Sequence, residues 1–267
     1  MTDLPRPVAE LVDALAAMPG AVAVALGGSR AIGAADAGSD WDLGLYYRGT
    51  IDLAALAERG TVHPPGAWGR LMNGGAWLRC GGEKVDVILR DLDAVEHWTR
   101  RAELGEFEVD PLLGYLAGVP TYLPAAELAS CRVLRGGLPP APVPFPPRLA
   151  ASAPPWWRFR RSFSLDYARM HARRGGIAGA VGQAAKAVLE EAHARLCERG
   201  LWVCNEKRLL DAAGLSALHS LFARVPTEQA DLVGWVDAIA SRLGTSGEPM
   251  PWSDAGRGDE PGAGPNR

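Results

Sequence analysis

The stretch between Gly136 and Trp157 holds eight of the chain's 21 prolines: Pro139, Pro140, Pro142, Pro144, Pro146, Pro147, Pro154 and Pro155. Proline removes a backbone donor and fixes φ, so this segment is expected to be a semi-rigid spacer, neither helix nor central strand. It divides the sequence into halves of different periodicity. On the N-terminal side, apolar runs of strand length alternate with helical patterns, which predicts an α/β arrangement. On the C-terminal side the apolar spacing is helical almost throughout. The expected layout is an α/β (α+β) domain with a mixed sheet over residues 1–135 and a proline-rich connector over 136–156. An all-α helical bundle over 157–243 and a disordered tail over 244–267 follow. A length of 267 residues suits about two modest domains.

Within the first half, Val8, Leu11, Val12, Leu15 and Met18 recur at helical spacing before Pro19-Gly20. Ala21–Leu26 is a continuous apolar run that ends at Gly27-Gly28, and Ser29 is placed to cap a helix to about Asp36. Trp41–Tyr47 reads as a second strand and residues 51–59 as a helix. Residues 76–80 and 84–90 read as a hairpin across Gly81-Gly82, and Asp91 as the cap of a helix to about Arg101. Residues 107–116 read as helical, interrupted at Asp110-Pro111, and 131–134 as a short strand. Beyond the prolines, helices are expected at about 157–174, 178–200, 206–223 and 227–243.

Composition excludes several classes. The 28 basic and 31 acidic residues leave a net charge of −3, which disfavours a broad nucleic-acid surface. No apolar run approaches the length of a membrane span, and residues 1–7 carry no signal-peptide core. The four cysteines form no CxxC pair, and the five histidines make no HExxH motif. The expectation is a cytoplasmic protein with no membrane partner. Only three of the 28 basic residues are lysines, namely Lys84, Lys186 and Lys207.

The chemistry concentrates in one constellation. Gly27-Gly28-Ser29 closes an apolar strand, Asp40-Trp41-Asp42 opens the next, and Asp86 lies inside the apolar run Lys84–Ile88. Alternation along a strand sends Asp40 and Asp42 to one face, with Cα atoms roughly 7 Å apart. A carboxylate in an apolar strand is costly unless something compensates its charge. Three converging there suit a hard divalent cation such as Mg²⁺, which takes oxygen ligands and accompanies phosphates. A glycine turn from strand into helix exposes backbone N–H groups to an anion such as a triphosphate.

In these residues the chain resembles the polymerase-β-type nucleotidyltransferases. Their signature is an apolar strand, Gly-Gly/Ser, Asp-x-Asp on the next strand and a later Asp on a third. Here that is Leu26-Gly27-Gly28-Ser29, Asp40-Trp41-Asp42-Leu43 and Asp86, within residues 20–90. An α/β head followed by a helical bundle is similar to the small-molecule subgroup, which includes kanamycin, streptomycin and lincosamide nucleotidyltransferases. The resemblance implies two-metal transfer of a nucleoside monophosphate from an NTP, as with ATP, to a hydroxyl of a small-molecule acceptor. Asp40, Asp42 and Asp86 would be the catalytic metal ligands for two Mg²⁺ ions, with Mn²⁺ as a substitute. Gly27, Gly28, Ser29 and Arg30 would contact the nucleotide. Lys186 and Lys207 would reach the triphosphate from the helical half, as a lysine does in relatives. Each also reads as an ordinary solvated lysine.

Glu190 and Glu191 are candidate bases for the acceptor. Glu190 is four residues from Lys186, so a helix-stabilising pair competes with that role. Two other motifs fail on inspection. Gly28 to Gly33 has P-loop spacing but lacks the Lys-Ser/Thr that must follow, and Gly27–Ala31 lacks the last glycine of a nucleophile elbow. Alternative readings are a protein-modifying (AMPylating) nucleotidyltransferase and a non-catalytic nucleotide-binding scaffold. Acceptor, preferred base and oligomeric state stay open.

Overall fold

The computed structural model describes residues 4–36 and 38–245. The chain divides into two compact units. One comprises Met1–Ala153 with Cys197–Glu206, the other Pro154–Leu196 with Lys207–Arg267. The part of the expected disordered tail from 246 onward lies outside the described residues. The architecture is mixed α/β with a helical C-terminal region, and no described helix is long and apolar enough to cross a membrane.

The first unit is built on strands β1 (Ala21–Leu26), β2 (Trp41–Tyr47), β3 (Gly60–His63), β4 (Gly75–Cys80), β5 (Glu83–Asp91) and β8 (Arg132–Gly136). They form one sheet in the order β3-β4-β5-β2-β1-β8. β2 and β5 run parallel, and the other neighbours are antiparallel. The strands β6 (Val109–Asp110) and β7 (Val119–Pro120) make a separate short ladder. Helices α1 (Arg6–Ala16), α2 (Gly28–Ala31), α3 (Gly69–Met72), α4 (Leu92–Glu103) and α5 (Leu123–Ser130) complete the elements that precede the prolines.

Alternation sorts the sheet's two faces. Trp41, Leu43 and Leu45 of β2, Val85, Val87 and Leu89 of β5, and Ala76 and Leu78 of β4 pack with the α1 stripe Val8, Leu11, Val12 and Leu15. Each such side chain contributes about 1.5–3 kcal/mol on full burial. The opposite face carries Ala23, Ala25 and Tyr46, which cluster with Leu92 and Val95 of α4 and Leu128 of α5. Gly81 and Gly82 both have positive φ, +58° and +92°, and so close the β4–β5 hairpin with the twist that a two-residue loop needs. The Asp91 side chain accepts from the Asp93 N–H at 2.9 Å and caps α4 as expected.

Several elements depart from the sequence reading. The proline segment is helical from Pro147, because α6 runs Pro147–Ala172 with Pro154 and Pro155 inside it. Pro147 stands at the first helical position, where its missing N–H is not needed. Leu149, Ala153 and Trp157, all fully buried, then give the segment an apolar stripe at i, i+4, i+8. That stripe outweighs two absent donors. The expected helix over 107–116 is instead β6 and a loop: Glu108 N–H donates to Thr121 Oγ1, and Gly114 and Gly118 have positive φ. The expected helix over 51–59 is a 3-10 turn over Ala54–Arg59. The helix from Ser29 is only α2, four residues long, with Gly27 at its N-cap position and no side-chain cap. β3 had no counterpart in the sequence reading.

In the second unit, α6 is followed by α7 (Ile177–Glu198), α8 (Leu209–Ala212), α9 (His219–Phe222) and α10 (Gln229–Arg242). The single helix expected over 206–223 is broken at Gly214, whose φ is +72°. α8 begins only after Arg208, itself in the left-handed region. Fully buried alanines at 180, 184, 187 and 192 leave α7 a small-residue surface, and Trp157 stacks on His193 at 4.4 Å between ring centroids.

His193 is buried with neither ring nitrogen hydrogen-bonded. Burial pushes its pKa down to about 3. A folded value below the unfolded value near 6.5 means that the unfolded chain binds the extra proton. Stability contributed by neutral His193 is therefore present above about pH 6.5 and is lost as pH falls toward the folded value, by about 1.4 kcal/mol at pH 5.5. Burial shifts Glu190, on the same helix, upward, which works in the opposite sense. We expect His193→Phe to melt with a smaller loss between pH 7 and pH 5.5 than the parent. Parallel melting curves for the two proteins across that range would contradict this.

Candidate functional site

Gly27 lies at the end of β1 in extended conformation, and its N–H donates to the Asp42 carbonyl at 2.8 Å. Gly28 follows with φ of +59° and sits against the Asp42 side chain. A Cβ added at Gly28 would fall 1.8 Å from Asp42 Oδ2 and 2.6 Å from Cγ. The glycine is therefore required twice, for the backbone conformation and for room beside the carboxylate.

Parallel pairing of β2 and β5 places Asp42 opposite Asp86 in register. Their Cα atoms stand about 4.8 Å apart, the ordinary strand spacing, with both side chains on the face opposite the α1 core. Both are partly buried. Asp40, two residues before Asp42, has the same strand parity. Its Oδ1 lies 3.9 Å from Lys84 Nζ, with both side chains well exposed. Such a surface pair contributes little stability. Trp41, between the two acids, points into the core at 3% exposure and donates from Nε1 to Glu83 Oε2 at 3.0 Å. The alternation Asp-Trp-Asp is thus a buried anchor that fixes the direction of the carboxylates on either side.

Arg30 is engaged with the backbone. Its Nε donates to the carbonyls of Ser39 and Asp40 at 3.2 and 3.1 Å, and its Nη2 to Ser39 at 2.6 Å. Its guanidinium carbon lies 4.1 Å from the centroid of the Trp41 ring. Arg30 therefore holds the loop that delivers Asp40.

The second-unit candidates lie elsewhere in the chain's organisation. Lys186 Nζ is 3.9 Å from Glu190 Oε1, the i,i+4 pair. Glu190 is 0% exposed and accepts from Ser164 Oγ at 2.8 Å and Arg160 Nε at 3.2 Å. Glu191 accepts from Arg161 at 2.6 Å and Arg195 at 3.0 Å. Both carboxylates are tied into the interior of the helical unit by cations. Lys207 is exposed in the turn before α8.

The structure thus brings Gly28, Asp42 and Asp86 together with Asp40 beside them. It assigns Lys186, Lys207, Glu190 and Glu191 to the other unit. Among the described residues, no group of three or more His, Cys, Asp and Glu side chains could hold a metal ion. The Asp42–Asp86 pair is an all-oxygen donor set next to a cleared backbone turn. That suits Mg²⁺, which is commonly held by one or two carboxylates, water and substrate phosphates rather than by a complete protein cage.

Two further features lie on the same face. Tyr46 folds over Gly44, where a Cβ would be 2.8 Å from Tyr46 Cε2. Trp77 of β4 stands opposite Asp86 in register, with its side chain on the acidic face. No known protein family matches the chain, and no curated protein matches it.

Proposed function

We propose that the chain is a nucleotidyltransferase that moves a nucleoside monophosphate from an NTP to a hydroxyl of a small-molecule acceptor. The observation that carries this reading is the in-register Asp42–Asp86 pair with Gly28 pressed against Asp42. Two adjacent carboxylates repel each other as like charges. A divalent cation held by both would offset that repulsion and would also bind a polyphosphate.

Asp42 and Asp86, with Asp40 beside them paired to Lys84, would hold Mg²⁺. When bound, it would neutralise phosphate charge and lower the pKa of the acceptor hydroxyl. The backbone N–H groups around Gly28 and Ser29 would bind the outgoing phosphates. The acceptor oxygen bonds to the α-phosphorus as the bond from that phosphorus to the pyrophosphate oxygen breaks, and pyrophosphate leaves with the electron pair. Asp86, on the side away from Gly28, takes the acceptor's proton. Arg30 and Trp41 act indirectly, by fixing where Asp40 and Asp42 point. Glu190 and Glu191, paired with arginines, have no part in this scheme.

The test is calorimetric titration of ATP, GTP, CTP and UTP with and without Mg²⁺, on the parent and on Asp40→Asn/Asp42→Asn. We expect Mg²⁺-dependent binding of at least one nucleotide to the parent and its loss in the variant. Binding that is unchanged in the variant, or no nucleotide binding to the parent, overturns the proposal.

A further inference from the structure

We propose that Trp77, backed by Trp68 and His63, is the platform on which the acceptor's ring lies, and that the acceptor is a neutral hydroxylated ring. This rests on the nucleotidyl-transfer reading above. Trp77 is 52% exposed although β4 is an internal strand, paired with β3 and β5. Its neighbours in β4, Ala76 and Leu78, are buried in the α1-side core, so its indole stands on the opposite face with the acids. Register then sets Trp77, Asp86 and Asp42 in one line across three adjacent strands, at about 4.8 Å per step.

The indole is held. Its ring centroid lies 4.5 Å from that of His63, nearly edge-on, and 5.5 Å from that of Trp68, with planes 28° apart. Trp68 in turn lies over Gly75, where an added Cβ would be 2.9 Å from its Cζ3. Three mutually packed rings lose little freedom when a ligand settles on them, which favours affinity.

Direction follows from the reaction. In-line displacement puts the incoming oxygen opposite the leaving pyrophosphate. The turn assigned to the pyrophosphate follows β1, on one side of Asp42. The acceptor therefore approaches from the β5 and β4 side, where Asp86 and then Trp77 stand. A ring lying on Trp77 presents its hydroxyl edge toward Asp86.

Charge selects the kind of ring. The electron-rich face of an indole attracts cations and polarised C–H groups alike. Arg79 lies two residues along β4, exposed on the same face and opposite Lys84. With the Asp42 and Asp86 charges taken up by Mg²⁺ and Lys84 paired with Asp40, the Arg79 charge beside the platform opposes a cationic ligand. A neutral hydroxylated ring keeps the C–H contact and meets no such opposition.

Saturation-transfer NMR on the full chain tests this, with methyl α-D-glucopyranoside as the neutral probe and tetramethylammonium as the cationic one. We expect the glucoside ring protons to be saturated by the parent. The transfer should fall about threefold or more in Trp77→Ala and largely survive in Trp77→Phe, which keeps an aromatic face. No transfer to the glucoside in the parent, or equal transfer in Trp77→Ala, overturns the platform. Transfer to tetramethylammonium that is lost in Trp77→Ala overturns the choice of a neutral ring. Nucleotide binding by Trp77→Ala should stay within about twofold of the parent. If nucleotides bind the parent and the glucoside does not, the platform alone fails. If no nucleotide binds, the nucleotidyl-transfer reading fails.

Discussion

Gly28→Ala is expected to abolish nucleotide binding and transfer while Gly27→Ala leaves both nearly intact. The two glycines are adjacent, and their surroundings differ sharply. At Gly28 the new methyl would sit 1.8 Å from Asp42 Oδ2, 2.6 Å from Cγ and 3.1 Å from Cβ. The carboxylate must leave its place. The backbone there has φ of +59°, which disfavours any residue with a Cβ by roughly 1–2 kcal/mol. At Gly27, φ is −111° and an added Cβ would meet only the Asp42 carbonyl, at 3.8 Å, an ordinary contact. Displacing a reacting group by about 1 Å can cost on the order of a hundredfold in rate. We expect at least that loss in transfer rate for Gly28→Ala, with Mg²⁺-dependent nucleotide binding lost by calorimetry and a modest fall in melting temperature. Equal behaviour of the two variants would show that the position of the Asp42 carboxylate does not matter to the site.

That contrast also bears on what could be read from sequence. Gly27-Gly28-Ser29 was legible as a turn, but which glycine is indispensable was not, because the answer lies in contact with a residue 14 positions away. β1, β2 and the β4–β5 hairpin were legible because each combines a continuous or alternating apolar run with a turn signal at its end. The pairing of Asp42 with Asp86 followed from the same alternation once β5 lay beside β2. Trp77 was not legible as part of the site. In an apolar strand a tryptophan reads as packing, and only register with Asp86 places it on the acidic face. The helix through Pro154 and Pro155 was hidden for a different reason. The prolines argue locally against a helix, whereas the stripe Leu149, Ala153 and Trp157 shows itself only through its burial in the folded chain. Arg30 reads locally as a cation beside a phosphate turn, and the carbonyls that occupy it come from Ser39 and Asp40, nine and ten residues on. The tie between β5 and α5 was invisible as well, since nothing near Arg90 in sequence announces Glu127.

That tie supports the second large effect. Removing Glu127 should destabilise the first unit more than removing Arg90, although the two form one ion pair. Arg90 is 3% exposed and is gripped bidentately by Glu127, with Nε to Oε2 and Nη2 to Oε1 both at 2.6 Å. Its Nη1 also donates to the carbonyls of Leu89 at 3.0 Å and Met72 at 3.2 Å. The Glu127 side chain is 21% exposed. Glu127→Leu leaves a guanidinium charge shut away from water with only neutral carbonyls around it. Arg90→Met leaves a carboxylate that can turn toward solvent. Losing one partner of a buried pair costs about 3–5 kcal/mol where the survivor stays dry. We therefore expect about 3 kcal/mol for Glu127→Leu and roughly half of that for Arg90→Met, measured as shifts in the urea midpoint at unchanged slope. The Arg90→Met/Glu127→Leu double variant should recover much of the loss, because replacing both charges with apolar groups removes the desolvation penalty together with the attraction. The Tyr46 phenol, which burial and then the Glu127 carboxylate hold neutral, would then face an apolar neighbour at no further cost. If the double variant is as unstable as the worse single one, the pair acts through its shape and hydrogen bonds to β5 rather than through uncompensated charge.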